Sequence, residues 1–355
     1  MTRKPLTLLF CHRDMLEGLR VGVVVPARDE IEHIRQVIGT LPDFVDVCIV
    51  VDDGSSDGTG AAAIQGFSSV NLAGEVLSLS GVGVGAAIDA GHQRLIEHFS
   101  NTGGAWCSVV MAGDGQMDPA DLRSLLEPLL TGEYEHVKGG RSAHQDGLSG
   151  MPLRRRFGTA LLAFWTSLAC GRTIRDPQCG YTATSGALIE RSDWCRGWAG
   201  YGYPNHWLMR MTEMRTRITE VPVRAVYGGE RSGLRLAGFI RRVAPSLLFG
   251  LHRRGWAWYV RGEVKSWLRW PLVACWIAGF LSLLNLHTVP LCLLFWGFAH
   301  LLDRRIVLAE TATSNRPGPV STRTVPTTGR QPKVDRNRGG SDLIIDVTTS
   351  IVLNR

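Results

Sequence analysis

The chain has 355 residues, 45% of them apolar and 20% charged, with a formal net charge of +7. That is enough for one large domain with an appendage, most of it packed into a core. The positive balance suits an anionic membrane surface, nucleic acid or phosphorylated substrates and does not choose among them. Eight cysteines without a C-x-x-C pair speak for free thiols in a reducing compartment and against a disulfide frame or zinc site. The N-terminal "LTLLF" is too short for a signal segment, and Arg13 and Asp14 follow it.

"VGVVVP", Val21 to Pro26, is a β-branched run closed by proline, which predicts a buried strand. Ile31, Ile34, Val37, Ile38 and Leu41 then recur at helical spacing. "VDVCIVVDDGSSDGT" predicts a second strand that breaks into Asp, Gly and Ser, with Asp57 and Thr59 placed to cap the next helix. "GEVLSLS" is a third strand, and "GVGVGAAIDAGHQRLIEHF" a glycine-rich turn entering a helix. "AWCSVVMAGDGQMDP" is a fourth strand, followed by the helix "PADLRSLLEPLL". Strands alternating with helices predict a parallel sheet covered on both faces. Ligands of such sheets sit beyond the carboxyl ends of the strands, where the acids after Val51 and Met111 would meet.

After about Lys138 the alternation fails. Arg154 to Arg156 lead a strongly apolar helix that suits a lipid interface or a core. "RDPQCGYTATS" is a loop returning to an extended segment, and "TEVPVRAVYGGERSGL" a strand with a basic, glycine-rich exit. From Trp267 to Leu302 the run holds one charge, Arg269, and breaks at "NLHTVP". Two helices in a hairpin fit this better than one span. Arg253, Arg254, Arg261, Lys265 and Arg269 flank one end, and Arg304 and Arg305 the other. Both basic flanks on the inside satisfy the positive-inside rule for a membrane hairpin. The segment after about Glu310 is rich in Thr, Pro, Arg and Gly and reads as a disordered tail, despite "LIIDVTTSIVL" near its end.

"VVVPARDE", "VVDDGSSDGT", "GVGVGAAIDAG", "GDGQMDP", "GGRS", "DPQCGYTA" and "EVPVRAVYGGERSG" stand in one order. In that order they resemble the family-two glycosyltransferases, in particular the dolichol-phosphate mannosyltransferase-like branch that charges a polyprenyl phosphate with a sugar. The resemblance covers about Val21 to Leu236 and implies a GT-A fold, a Rossmann-like nucleotide-sugar domain. It implies nucleotide contacts from Pro26, Arg28 and Glu30, with Arg28 where the family has an aromatic residue. A guanidinium plane also stacks on a base, and Glu30 can accept from base or ribose or simply open the next helix. Val51 and Asp53 would lie at base and ribose.

In "MAGDGQMDP" the family pattern is Asp-x-Asp before Gly-Gln, a site for Mg²⁺ or Mn²⁺ that neutralises the sugar nucleotide's diphosphate. Here the first acid is Ala112. Gly113 and Asp114 remain at the substrate, with Asp114 and Gln116 as the metal ligands the resemblance implies. Asp118 precedes Pro119 and reads mainly as a helix cap. The resemblance sets Arg141, Arg224 and Arg231 near the donor diphosphate or acceptor phosphate, where arginine forks suit phosphate. Arg141 and Arg231 are thus expected, beside Asp114, to serve the reaction itself.

Soluble relatives carry a Glu-Asp pair whose Asp deprotonates an acceptor hydroxyl. The comparable region here, "GYGYPNHWLMR", holds His206 and no acid. A phosphate acceptor is already anionic and needs no base, which agrees with a membrane hairpin. The expected organisation is therefore an N-terminal extension (1–20), a GT-A domain (21–245), a basic segment with the membrane hairpin (246–305) and a tail (306–355). The expected activity is inverting transfer of a hexose from a GDP- or UDP-sugar to a polyprenyl phosphate, with the catalytic domain on the cytoplasmic face of the cell membrane. Nucleic acid is not an expected partner, and a homo-oligomer is compatible with the reading. The rivals are transfer to a hydroxyl of a lipid, polysaccharide or small molecule, and a catalytically weak sugar-nucleotide-binding partner of a membrane glycosylation complex.

Overall fold

The computed structural model describes residues 16, 18–100, 103–141, 153–192, 202–224, 236–284, 287–313 and 350–353. Its first strand, β1 (Arg20–Ala27), is buried from Val21 onward. Pleating splits that run. Val21, Val23 and Val25 join one apolar cluster, and Val24 joins the other. Each fully buried valine contributes about 1.5–3 kcal/mol. A β-branched run without polar alternation is therefore what a strand covered on both faces requires.

Parallel to β1 on one side runs β2 (Val47–Asp52), then β3 (Ala73–Ser78), and on the other side β4 (Trp106–Val110). Helices α1 (Ile34–Gly39), α2 (Thr59–Ser68) and α4 (Leu122–Leu130) bury their apolar stripes on the Val23 face. On the Val24 face lies α3 (Val84–Ser100), pressed so close that a Cβ at Gly91 would come within 2.3 Å of Val24. This βα alternation is the expected one, except that Ile31 and Leu41 both fall outside α1 and Ile31 is exposed.

The second half is mixed. β5 (His136–Gly140) and β6 (Thr182–Ser185) pair antiparallel, β6 also runs antiparallel to β4, and β7 (Ile218–Pro222) is parallel to β5. The helices here are α5 (Leu153–Cys170), α6 (Gly186–Glu190) and α7 (Tyr203–Glu213). α8 (Leu236–Gly255) follows and ends in a π-helical turn, Trp256–Val260.

The C-terminal hairpin forms as α9 (Arg269–Leu281) and α10 (Val289–Thr313). Among the described residues, however, no helix is long and apolar enough to cross a membrane. α9 has only 13 residues, and Asp303, Arg304 and Arg305 end the apolar part of α10. Two corrections concern the tail. α10 runs on to Thr313, past the expected boundary at 305. Within the late apolar patch, β8 (Ser350–Leu353) pairs antiparallel with β3. Its unpaired amides and carbonyls find their partners at the open edge of the sheet. The complete sheet order is β7-β5-β6-β4-β1-β2-β3-β8.

Candidate active site

Past the ends of β1, β2 and β4 the backbone stays hydrogen-bonded. Gly113 N donates to Pro26 O at 3.1 Å, Asp53 N to Ala27 O at 2.9 Å and Leu79 N to Asp52 O at 2.8 Å. These bonds carry Pro26, Asp53 and Gly113 side by side to one edge of the sheet, so the acids that open each loop converge there.

The loops are then knitted by side chains. Asp29 takes the left-handed conformation (φ 56°). Its amide donates to Ser55 Oγ at 2.9 Å, and its carboxylate accepts from Ser56 N at 2.8 Å. Asn and Asp tolerate this region because their short side chains hydrogen-bond locally. Glu30 N donates to Thr59 Oγ1 at 2.8 Å. Asp57 accepts from Ile31 N at 3.1 Å and Thr59 N at 2.9 Å. The Thr59 hydroxyl, first among these donors, holds the Asp57 carboxyl below its usual range.

Asp53 is 4% exposed, and its two oxygens accept from Val82 N at 2.7 Å and Gly83 N at 2.8 Å. It thus pins the glycine turn that starts α3. At the head of that turn, a side chain on Gly81 (φ +80°) would meet the Arg28 guanidinium at 3.6 Å. Arg28 is exposed and lies over the turn, whereas Val51 is fully buried beneath α3. A β-branched residue on a covered face offers a ligand no side-chain surface, which leaves its backbone for the expected Val51 contact.

Asp114, Gly115 and Gln116 turn back over this edge. Asp114 Oδ1 accepts from Gln116 N at 3.0 Å, and both side chains are half-buried. His33 packs under Gly115, 3.7 Å from where a Cβ would stand, and its Nδ1 is 3.3 Å from the Glu30 carboxylate. His33 thus joins the β1 loop to the Asp114 loop. Its place in a helical pattern gave no sign of that.

Asp118 caps the turn Pro119–Asp121, accepting from Ala120 N at 2.9 Å, as its position before proline predicts. Arg224 crosses the same turn. Its amide donates to Asp121 Oδ2 at 2.6 Å, and its Nη1 is 3.5 Å from Asp118 Oδ2.

Facing this edge is the end of β5. Arg141, expected at a phosphate, grips Asp176 with Nε at 2.8 Å and Nη2 at 2.9 Å. Burial alone would raise the Asp176 carboxyl, but the Arg141 bonds outweigh it and hold the group below its usual range. Glu220 accepts from the amides of Arg175 and Asp176 at 3.0 and 3.2 Å. Gln178 donates to Asn205 in the first turn of α7, and Asn205 to Thr166 of α5 at 2.6 Å. Arg231 lies outside the described residues.

Beneath the cleft, between α3, α7 and β5–β6, is a cavity of about 50 Å³ bordered by His92, His136, Lys138, Thr182 and Tyr203. Burial lowers both histidines to about 3 and lowers Lys138. Asp89, hydrogen-bonded to Tyr203, is raised by burial to about 8. None of these groups was singled out from the sequence, where they read as ordinary helix and strand positions.

A Rossmann-like half-sheet whose carboxyl edge carries Arg28, Glu30, Asp114 and Gln116, joined to a mixed half ending in an arginine–aspartate pair, is a GT-A glycosyltransferase domain. Residues 22–193 match the model of Glycosyl transferase family 2. The protein is a transferase that carries a domain of this family.

It is 28% identical over 221 residues to UDP-N-acetylglucosamine–dolichyl-phosphate N-acetylglucosaminyltransferase of Methanococcus voltae, covering 58% of this chain and 86% of the relative. It is 27% identical over 177 residues to polyprenol monophosphomannose synthase of Mycolicibacterium smegmatis, covering 49% and 64%. In three dimensions it resembles glucosyl-3-phosphoglycerate synthase of Mycobacterium tuberculosis in complex with UDP. That match has a TM-score of 0.51 at 23% identity and covers 66% of this chain and 81% of that one; it speaks to the fold.

Proposed function

We propose that the protein moves a hexose from a UDP- or GDP-linked sugar to a polyprenyl phosphate at the cytoplasmic face of a membrane, with inversion at the anomeric carbon. The observation that carries this reading is the state of the acids in the acceptor half. Asp176 is held by Arg141, and Glu220 by two backbone amides. Neither is placed as a general base, so an acceptor that is already ionised suits the site. The relatives named for dolichyl phosphate and polyprenol support the same acceptor class.

In this reading Arg28 covers the base and Glu30 takes a donor from base or ribose. Asp53 acts through the glycine turn it pins. The donor set at Asp114 and Gln116, one carboxylate and one amide oxygen, would suit a hard divalent ion such as Mg²⁺ or Mn²⁺. Mg²⁺ or Mn²⁺ bound there supplies Lewis-acid stabilisation to the leaving diphosphate. The acceptor phosphate oxygen forms the new bond to the anomeric carbon as the bond to the diphosphate oxygen breaks. The electron pair leaves with the nucleoside diphosphate, and no proton needs to move. The chain's part is to orient the two anions in line.

The test is incubation of the protein with radiolabelled UDP- and GDP-sugars and a polyprenyl phosphate, followed by lipid extraction. Labelled lipid stable to mild base and cleaved by mild acid is expected. Label found only on hydroxyl acceptors would replace this reading with the hydroxyl-transfer one, and nucleotide binding without any turnover would leave a sugar-nucleotide-binding protein.

A further inference from the structure

The hairpin is apolar outside as well as inside. Leu272, Gly279, Cys292, Ala299 and Leu302 form its buried seam. At Gly279 the helices come so close that a Cβ would strike Trp296. The outward faces hold Ile277, Phe280, Leu293, Leu294 and Phe298, and Leu284 at the turn is 83% exposed. Exposing this much contiguous apolar surface is unfavourable in water and marks a buried surface in the working protein.

Its dimensions restrict what covers it. α9 has 13 residues, about 20 Å of helix, and the apolar part of α10 up to Leu302 is of similar length. A bilayer's hydrocarbon core is about 30 Å thick. The hairpin is thus too short to cross, and with the first turn of α9 in the headgroup layer its remaining length matches one leaflet, about half of that core.

The base is built differently. Arg254 is fully buried and bidentate to Asp303 at 2.8 Å through both terminal nitrogens, and its Nε donates to Ala169 O of α5 at 3.2 Å. Tyr259 also donates to Asp303. Arg304 bonds Thr173 at 2.9 Å, and Arg215 pairs with Glu310 at 3.0 Å. α10 is therefore clamped to the catalytic body, and α9 rests on it through Trp276, whose ring lies 5.0 Å from that of His252 in α8. Around the clamp, Arg261, Lys265, Arg304 and Arg305 are exposed, as are Trp256, Trp267 and Trp270. A collar of cations and indoles below an apolar tip matches the order of a leaflet: anionic headgroups, interface, hydrocarbon. Exposed Phe157, Phe164 and Trp165 of α5 extend apolar surface onto the catalytic body. The same helix is tied through Thr166 and Asn205 to Gln178, in the loop between α5 and β6 that serves as the acceptor loop in the proposed reading.

We propose that the hairpin is a one-leaflet anchor. α9 and α10 enter the bilayer from the catalytic side, turn within the near leaflet and leave by the same face, with the collar at the headgroups. The Arg254–Asp303 clamp fixes the depth of the tip relative to the acceptor loop, so that a lipid-borne phosphate is met at headgroup height. This deepens the membrane part of the proposed function and rests on it for the lipid-borne phosphate; the anchor itself does not depend on the sugar or acceptor assigned there.

The experiment uses the full chain reconstituted with sealed vesicles of phosphatidylcholine and phosphatidylglycerol, without sugar nucleotide or acceptor. Its failure is thereby separate from a failure of the transferase reading. Cys11, Cys195, Cys275 and Cys292 are replaced by alanine; the four other thiols are buried. A spin label is then placed through Leu284→Cys, Lys265→Cys or Arg305→Cys. We expect the Leu284 label to be oxygen-accessible and shielded from a water-soluble relaxer on both sides. The labels at 265 and 305 should be water-accessible from the outer, protein side. The Leu284→Asp/Leu293→Asp variant should lose at least tenfold in vesicle flotation while its thermal transition stays unchanged. Relaxation of the Leu284 label from the vesicle lumen would mean a crossing and overturn the proposal. So would a water-accessible Leu284 label on vesicle-bound protein, flotation unaffected by the double substitution, or a Leu284 label buried at high protein concentration without vesicles, which would assign the face to a second copy of the chain.

Discussion

The two halves of the sheet handle charge in opposite ways. At the carboxyl edge of the parallel half, acids are held by backbone amides: Asp53 by Val82 and Gly83, Asp29 by Ser56, Asp114 by Gln116. In the mixed half, acids are held largely by arginines: Asp176 by Arg141, and Glu135 by Arg191 and Arg217. An amide-held carboxylate is oriented and keeps its full charge. A carboxylate gripped by a guanidinium is oriented and neutralised. In the proposed reading, the first edge keeps negative charge for a metal ion, and the second presents a surface an incoming anion can approach.

The strongest test of that contrast is Asp114. Asp114→Asn keeps the size and the turn, and removes the charge that the proposed reading gives to a cation. Loss of a group that stabilises developing charge costs about 10²–10³ in rate, and that is the expected fall in turnover with an unchanged melting temperature. Full activity in Asp114→Asn would place the metal elsewhere. Ala112→Asp should sharpen the contrast by tightening Mn²⁺ binding, read by titration calorimetry.

Arg141→Ala breaks the acceptor-side pair and leaves Asp176 buried without its cation. Removing one partner of a buried pair costs about 3–5 kcal/mol, at the low end here because Arg141 is 19% exposed. The sign with pH follows from the lowered carboxyl of Asp176. The pair's contribution is complete above the unfolded value, near 4, and disappears as pH falls through the lower folded one. The wild-type advantage over Arg141→Ala in urea unfolding should therefore be large at pH 7 and shrink progressively as pH falls below about 4. An advantage independent of pH would mean that packing, not charge, holds this corner.

How much of this was readable beforehand follows from range. The strands β1 to β4 and their acidic ends are local signals: β-branched runs stop at Asp, Gly and Ser, and the acids after Val51 and Met111 do meet at one edge. Asp118 before Pro119 was equally local. Arg141 and Asp176 are 35 positions apart, and nothing near either one announces the other. Asp89 and His92 sit in "GAAIDAGHQ", read only as a glycine-rich turn entering a helix, yet α3 buries both. The hairpin was visible as composition, but its reach was not, because that depends on where α9 stops and where Asp303 docks. β8 was missed because its partner, β3, lies far upstream in the chain.

Asp89 supplies a smaller and opposite pH effect. Its folded value of about 8 lies above the usual carboxyl value, through burial first. Such a group stabilises most below the unfolded value, near 4, and its support is lost as pH rises from 4 to 8. Asp89→Asn is neutral at every pH and can still bond Tyr203. It should match the wild type at pH 4 and exceed it by about 1–2 kcal/mol at pH 8, a discounted figure for a partly relaxed site. Equal stability at pH 8 would show the carboxylate to be solvated there.

Asp118 should respond least, although it stands four residues from Asp114 in the same loop. Its carboxylate caps the turn Pro119–Asp121 through Ala120 N, and asparagine caps about as well. The Arg224 contact that asparagine would weaken is long, 3.5 Å, and its arginine is mostly exposed, so it contributes at most about 0.5 kcal/mol. Asp118→Asn should thus keep its turnover within about twofold and its stability within that margin. Asp118→Ala removes the cap as well and should lose about 1 kcal/mol. If Asp118→Asn instead loses activity as deeply as Asp114→Asn while remaining folded, then Asp118 shares the work assigned to Asp114. The acid missing at Ala112 would then be replaced from the far end of the loop, by a residue whose capping bond uses only one of its two oxygens.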